Sequence, residues 1–403
     1  MLVLVAPGQG AQTPGFLAPW LEVPGVADRL AWWSAVADLD LVHYGTEADA
    51  DAIRDTAIAQ PLLVASGLAA ALALFPHPAE EYRRIGAAAG HSVGELTAAA
   101  GVGAITAESA MVLVRERGRA MAAAAAVTQT SMTAVLGGDP DEVVAKLAEH
   151  ALTPANRNGA GQIVAAGTVE QLAALQADPP KGARLRGLSV AGAFHTVHMA
   201  PAVARMEQLA KGVHARDPRV RYISNRDGAV VHSGHEVVQR LVSQVANPVR
   251  WDLCMETMRE LGVTGLLEVP PAGTLTGLAK RALPGVATFA LKTPDQLDAA
   301  RAFVAEHAEQ QPAADTLDTA PTWRLVVAPF SGTVQRGVPG GESVEPGAQL
   351  APGAKVGAVL SRREERVLVA EHGGTVLEWL VENGDPVAPG QPLLRIHPKA
   401  EVN

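Results

Sequence analysis

Three side chains able to do chemistry stand far apart along this chain. They are Ser92 in Gly90-His91-Ser92-Val93-Gly94-Glu95, Arg117 in Arg117-Gly118-Arg119-Ala120-Met121, and His195 in Ala193-Phe194-His195. The serine segment fits G-x-S-x-G, the pattern of a sharp strand-to-helix turn that presents a serine above a sheet. Glycines suit such a turn because its neighbours must lack a Cβ. A free hydroxyl is a poor nucleophile, so an imidazole has to take its proton as the new bond forms. A serine so activated attacks acyl groups, and backbone N–H groups at a helix start hold the resulting oxyanion. Taken alone, the motif fits a glycine-rich turn with an incidental serine equally well. On spacing alone, Arg115, Arg117 and Arg119 read as a solvated helix face; the sharper reading is a guanidinium fork gripping a carboxylate. His198 lies one helical turn beyond His195, but no carboxylate or third histidine accompanies them, so no metal site is expected.

The elements that must position these groups are legible in outline. Residues 82–85 form a β-prone start, residues 86–89 are small, and residues 95–100 read as a helix. That is the strand-turn-helix context the serine requires. Residues 1–5 (MLVLV) are a continuous apolar run, as in a buried parallel strand, and lead into Pro7-Gly8-Gln9-Gly10-Ala11-Gln12. This loop lacks both G-x-G-x-x-G spacing and a Lys-Ser/Thr pair, which ranks a nucleotide site low. Residues 47–75 are helical, with Gln60-Pro61 as a break between two helices. Residues 107–126 form another helix, carrying the three arginines. Beyond residue 127 come a strand at 131–136, a helix at 139–150, a strand at 163–165 and a helix at 168–177. This alternation predicts a small inserted α+β subdomain. Further strands fall at 222–225 and 266–269, and the polar, Ala/Pro-rich stretch 308–322 reads as a linker.

Composition narrows the class. The chain of 403 residues has room for more than one domain, and 48% hydrophobic content excludes a disordered chain. A single cysteine, Cys254, rules out an internal disulfide and suits a reducing cytoplasm. The net charge of −9 argues against nucleic-acid binding. No apolar run approaches the length of a membrane span, so no membrane association is expected. The apolar N-terminus is short, lacks a basic flank and reads as a strand, not a signal peptide.

In order and spacing, GQGAQ at 8–12, GHSVGE at 90–95, RGRAM at 117–121, NRNGAGQ at 156–162, AFH at 193–195, QVANPVRW at 244–251 and PAGTLTGLAKR at 271–281 resemble the malonyl-CoA:acyl-carrier-protein transacylase family. That family includes the acyltransferase domains of polyketide synthases, and the likeness spans residues 1–305. It implies a hydrolase-like large α/β subdomain with a parallel sheet, at 1–126 and 193–307, and a small ferredoxin-like α+β subdomain inserted at 127–192. It also implies two-step transfer of a malonyl group from the thioester of coenzyme A to the phosphopantetheine thiol of an acyl carrier protein, with no bound cofactor. Carried over by motif, Ser92 is the nucleophile and His195 its base and acid. Gln244 orients the imidazole through a main-chain or side-chain carbonyl. The backbone N–H groups of Gln9 and Val93 form the oxyanion hole, and Arg117 pairs with the malonyl carboxylate. His91, Phe194, Asn158 and Gln162 fall beside the site or along the cleft wall. Phe194 before His195 resembles the malonyl-selecting variant. The loop at Pro270-Pro271-Ala272-Gly273 departs from the family's Gly-Pro-Gly.

Residues 323–400 are a different object. Residues 328–334 (APFSGTV) echo 370–376 (AEHGGTV), and 344–347 (VEPG) echo 387–390 (VAPG). Two similar β-rich half-units predict a quasi-symmetric all-β domain. It resembles the biotinyl/lipoyl domain, a barrel-sandwich whose hairpin carries a modifiable lysine. That position falls on Arg363, with Lys355 too far from the hairpin tip to serve, so a degenerate, unmodified domain is expected. Two other functions stay open on sequence: a thioesterase using the same pair with water as acceptor, and a non-catalytic scaffold. Carrier proteins are usually acidic, so Lys181, Arg184, Arg186, Lys280 and Arg281 are candidates for a docking patch.

Overall fold

The computed structural model describes residues 1–75, 78–190, 192–308, 324–337, 344–362, 364–371 and 373–397. At its centre lies a six-stranded sheet of β1 (Leu2–Ala6), β2 (Ala87–Gly90), β7 (Arg221–Ile223), β8 (Val230–Val231), β10 (Gly265–Glu268) and β11 (Ala287–Ala290). Their order is β11-β10-β1-β2-β7-β8. Every pairing is parallel except β7 with β8. All five residues of β1 are buried, as a strand covered on both faces requires.

Two elements differ from the sequence reading. Residues 82–84 end a helix, α4 (Pro78–Arg84), and the strand starts only at Ala87. Arg83 and Arg84 close the last turn of α4, where cations complement the helix dipole. Pro61 does not break its segment: α3 runs unbroken over Thr56–Leu74. This helix of 19 residues is long and apolar enough to cross a membrane, with a mean hydropathy of 1.9 over an 18-residue stretch, yet 78% of that stretch is buried inside the protein. Tertiary packing on nearly every face outweighs the one backbone hydrogen bond that a proline forfeits. α3 lies against α5 (Gly94–Gly101) and α6 (Ala107–Ala125), and these helices share the main core with Leu62, Leu96, Met111 and Val114.

The inserted region forms a second sheet from β3 (Thr130–Gly137), β4 (Thr153–Gly159), β5 (Gln162–Thr168) and β6 (Ala183–Gly187), in the order β6-β3-β5-β4. Those three pairings are antiparallel. A fifth strand, β9 (Val249–Arg250), joins the edge of β4 in parallel from the returning chain. α7 (Pro140–Glu149) and α8 (Val169–Ala177) cover this sheet around Val135, Leu147 and Leu175. Asp139 caps α7 and a Thr168–Gln171 capping box starts α8, at the residues where the sequence reading began these two helices.

The C-terminal region is all-β, with two four-stranded antiparallel sheets. One comprises Arg324–Val327, Pro392–His397, Gly374–Trp379 and Gln349–Leu350; the other Glu365–Ala370, Ala354–Leu360, Gly332–Arg336 and Pro386–Val387. It has a hydrophobic cluster of its own, including Val334, Val356, Val376 and Leu394. Arg363, and all of the expected linker except Ala308, lie outside the described residues.

Candidate active site

β2 ends at Gly90 and α5 begins at Gly94, so Ser92 sits at the apex of the turn between them. Its φ of +53° is a left-handed conformation that a non-glycine residue adopts at a cost. The flanking glycines are sterically required. A Cβ on Gly90 would lie 2.0 Å from the Gly94 carbonyl carbon, and one on Gly94 would lie 2.2 Å from the Ala6 oxygen. The turn therefore exists only because strand β1, strand β2 and helix α5 touch backbone to backbone. The Ser92 N–H donates to Asn225 Oδ1 at 2.8 Å, and Asn225 in turn holds Gly90 O and Glu95 Oε1 at 2.7 Å each. Asn225 stands immediately after β7, so the neighbouring strand pins the strained apex.

The three sequence-distant groups converge. His195 Nε2 lies 2.7 Å from Ser92 Oγ, and Nδ1 lies 2.9 Å from the main-chain oxygen of Gln244. That second contact fixes the tautomer: Nδ1 carries the proton and Nε2 is free to accept one. The Gln244 side chain works elsewhere. Its Nε2 donates to Ser92 O at 2.9 Å and to the carboxylate of Glu95, and its Oε1 accepts from Arg117 Nη2 at 2.7 Å. Arg117 is 2% exposed, donates through Nη1 to Gln60 Oε1 at 2.6 Å, and reaches Ser92 Oγ through Nη2 at 3.3 Å. An arginine this buried and in contact with the serine is no solvated helix face.

Burial, and then the Arg117 charge, push the His195 pKa down to about 3, so the ring is a neutral base at pH 7. Burial likewise lifts Glu95 to about 7 and brings Arg117 down to about 10. The backbone N–H groups of Gln9 and Val93 have no backbone acceptor among the described residues. The Gln9 side chain points away, to Arg54 O at 3.2 Å and Thr56 Oγ1 at 3.3 Å.

The remaining expected residues divide. His91 Nε2 meets Asn158 Oδ1 at 2.9 Å, which ties the turn to β4 of the small sheet. Phe194 packs in the main core, with Ala125 close by at Gly192, and so anchors the loop that carries His195. Gln162 lines a cavity at the β4–β5 turn that also takes in Arg157 and Arg250. Among the described residues no group of His, Cys, Asp or Glu could hold a metal ion. Lys181, Arg184, Arg186, Lys280 and Arg281 are all exposed. Sequence reasoning missed Gln60, Glu95 and Asn225. Each carried a signal: one polar residue in an apolar helix, an acid closing the serine motif, and an amide at the carboxyl end of a strand, where α/β sheets place ligands.

A nucleophile-ready serine, a neutral imidazole and a buried guanidinium at the carboxyl edge of a parallel sheet define an acyl-transfer class of α/β protein. Comparison with known proteins gives the family. A model described as the acyl transferase domain matches residues 3–311. A malonyl CoA-acyl carrier protein transacylase from Mycobacterium bovis is 51% identical over 298 residues, covering 74% of this chain and 98% of its own. One from Escherichia coli K12 is 34% identical over 308 residues, covering 73% and 97%. The crystal structure of the Mycobacterium tuberculosis MCAT has a TM-score of 0.72 at 50% identity, covering 75% of this chain and 99% of that one. A malonyl-transacylase solved in complex with a type II PKS acyl-carrier protein has a TM-score of 0.68 at 30% identity, covering 75% and 99%. The chain belongs to the acyl transferase family, among the malonyl CoA-acyl carrier protein transacylases.

Proposed function

We propose that this protein transfers a malonyl group from malonyl-CoA to the phosphopantetheine thiol of an acyl carrier protein in fatty-acid synthesis. The observation that carries this reading is the shared contact of Arg117 and His195 with Ser92 Oγ. His195 Nε2 takes the hydroxyl proton as Oγ attacks the thioester carbonyl, and the Gln244 carbonyl stabilises the imidazolium through Nδ1. The free N–H groups of Gln9 and Val93 receive the oxyanion; losing one such donor costs about 10²–10³ in rate. The tetrahedral centre collapses, CoA leaves as the thiol with the proton held by His195, and an acyl-Ser92 ester remains. The carrier thiol then repeats the sequence in reverse. Arg117 grips the free malonyl carboxylate, with Gln60 and Gln244 holding its fork in plane.

The domain limits we favour are 1–126 with 193–307 for the large subdomain and 127–192 for the small one. The βαββαβ connectivity and strand order of the inserted sheet support a ferredoxin-like reading of the latter. Residues 323–400 we read as a degenerate biotinyl/lipoyl-like domain. The two antiparallel sheets, built from the echoing segments of each half, support that reading. The test of function is acyl labelling. Radiolabelled malonyl-CoA should mark Ser92 and pass its label to holo-carrier. Ser92→Ala should remove the label, and Arg117→Ala should exchange malonyl for acetyl preference. Release of free malonate without carrier would instead make the protein a hydrolase, and no label at all a scaffold.

A further inference from the structure

Two cavities meet at Arg250, beyond the Ser92–His195 pair. The first, of about 360 Å³, is lined by Arg226, Ser243, Gln244, Asn247, Pro248 and Arg250. The second, of about 370 Å³, shares Arg250 and adds Arg157 and the Gly159–Gln162 turn. Pairing of β4 with β9 sets Arg157 directly opposite Arg250. Like charges facing each other across a strand pair are destabilising unless something neutralises them. Arg250 engages Asp252 through Nε and Nη2, both at 2.9 Å, and among the described residues no hydrogen bond uses its Nη1. Arg157 and Arg226 form no ion pair among the described residues, and the nearby Asp227 is taken by Arg240 at 2.6 Å. Among the described residues Asp252 is thus the one carboxylate in an ion pair with any of these three guanidinium groups, in a chain whose net charge is −9. The acids Asp141 and Glu256 also line the second cavity, so the anion-seeking end is the one around Arg250.

This end is coupled to the catalytic serine. The Arg250 N–H donates to Asn225 O at 2.8 Å, Arg226 follows Asn225 in sequence, and Asn225 holds the Ser92 N–H. Gln244, one wall of the first cavity, touches Ser92 itself. We propose that Arg157, Arg226 and Arg250 form a phosphate-binding rim that seats the phosphate of a pantetheine-bearing substrate while its thioester end reaches Ser92. This rests on the acyl-transfer reading above. The shared chemistry is a phosphate ester at the far end of a pantetheine arm, either the diphosphate of coenzyme A or the phosphodiester of a holo-carrier.

The experiment titrates the full chain and its Arg157→Gln and Arg226→Gln variants with CoA, pantetheine and holo-carrier, and measures KM for malonyl-CoA and malonyl-pantetheine. Each variant should weaken CoA binding about tenfold, as expected for losing a hydrogen bond to a charged group, and leave pantetheine binding unchanged. Weaker holo-carrier binding with CoA unaffected would also support the rim and identify the carrier as the phosphate source. Equal losses for CoA and pantetheine, or no loss with either phosphate source, would overturn it. If CoA binding depends on these arginines yet malonyl-CoA never labels Ser92, the rim stands and the acyl-transfer reading fails.

Discussion

His195 is held neutral by its surroundings, and that has a measurable sign. Burial and the Arg117 charge disfavour the imidazolium, so the ring stays an active base through mildly acidic pH. Single-turnover acylation of Ser92 should therefore keep its rate at pH 5.5, with its acid limb well below the ordinary histidine range near 6.5. An acid limb at 6.5 would show that Arg117 and burial leave the ring unperturbed. The same shift acts on stability: the unfolded chain binds the histidine proton from 6.5 downward and the folded one only near 3, so acidification below 6.5 favours unfolding. Glu81 is the mirror case. It is buried, its Oε1 makes no hydrogen bond among the described residues, and burial lifts its pKa to about 8. The folded protein keeps this proton up to about pH 8 while the unfolded chain gives it up near 4.5, so the destabilisation grows as pH rises through that window. Glu81→Gln should raise Tm at pH 8 by several degrees, at roughly 2–4 °C per kcal/mol for a domain of this size, and change little at pH 4.5. An equal gain at both pH values would exclude titration as the cause.

At the scale of elements, the site is a consequence of how closely α5 approaches β1 and β2. Gly90 and Gly94 are the points of contact, and a methyl group at either would overlap backbone that cannot move aside. Gly94→Ala should therefore abolish acyl labelling of Ser92 even if the protein folds, because the start of α5 must back away from Ala6 and carry the Val93 N–H with it. Far-ultraviolet circular dichroism would report the fold and acyl labelling the site; full labelling in Gly94→Ala would refute this account of the turn. The motif made the turn readable in sequence, since the glycine spacing records the backbone approach directly. The starts of α7 and α8 were readable for the same reason: the Asp139 and Thr168 side chains bond their own neighbours. What sequence could not give was set by partners distant in the chain. Pro61 looked like a break because its cost is local, whereas the packing that keeps α3 whole comes from α5 and α6. Asn225, Gln60 and Glu95 gain their roles only when β7, α3 and α5 surround one serine.

At the scale of the whole molecule, the question is what residues beyond 308 contribute. The acyl transferase match ends at residue 311, and the C-terminal β-region closes over a hydrophobic cluster separate from the main core. It seats along the first long helix of the large subdomain, Val26–Ala37: strand Arg324–Val327 lies against that helix, Asp28 lines a cavity with that strand, and at the Gly390 turn a Cβ would come 2.9 Å from the Ala31 oxygen and 3.2 Å from the Ala35 methyl. No residue of the β-region touches Ser92, His195, Arg117 or Gln244 through a hydrogen bond among those described. A chain ending at residue 308 keeps the main core and every group of the site, so it should fold and acylate Ser92 from malonyl-CoA with unchanged kcat/KM. Holo-carrier should be assayed beside malonyl-CoA on the same preparation. A defect confined to the carrier step would assign the β-region to carrier delivery, whereas a defect in Ser92 acylation itself would mean that the two parts form one catalytic unit.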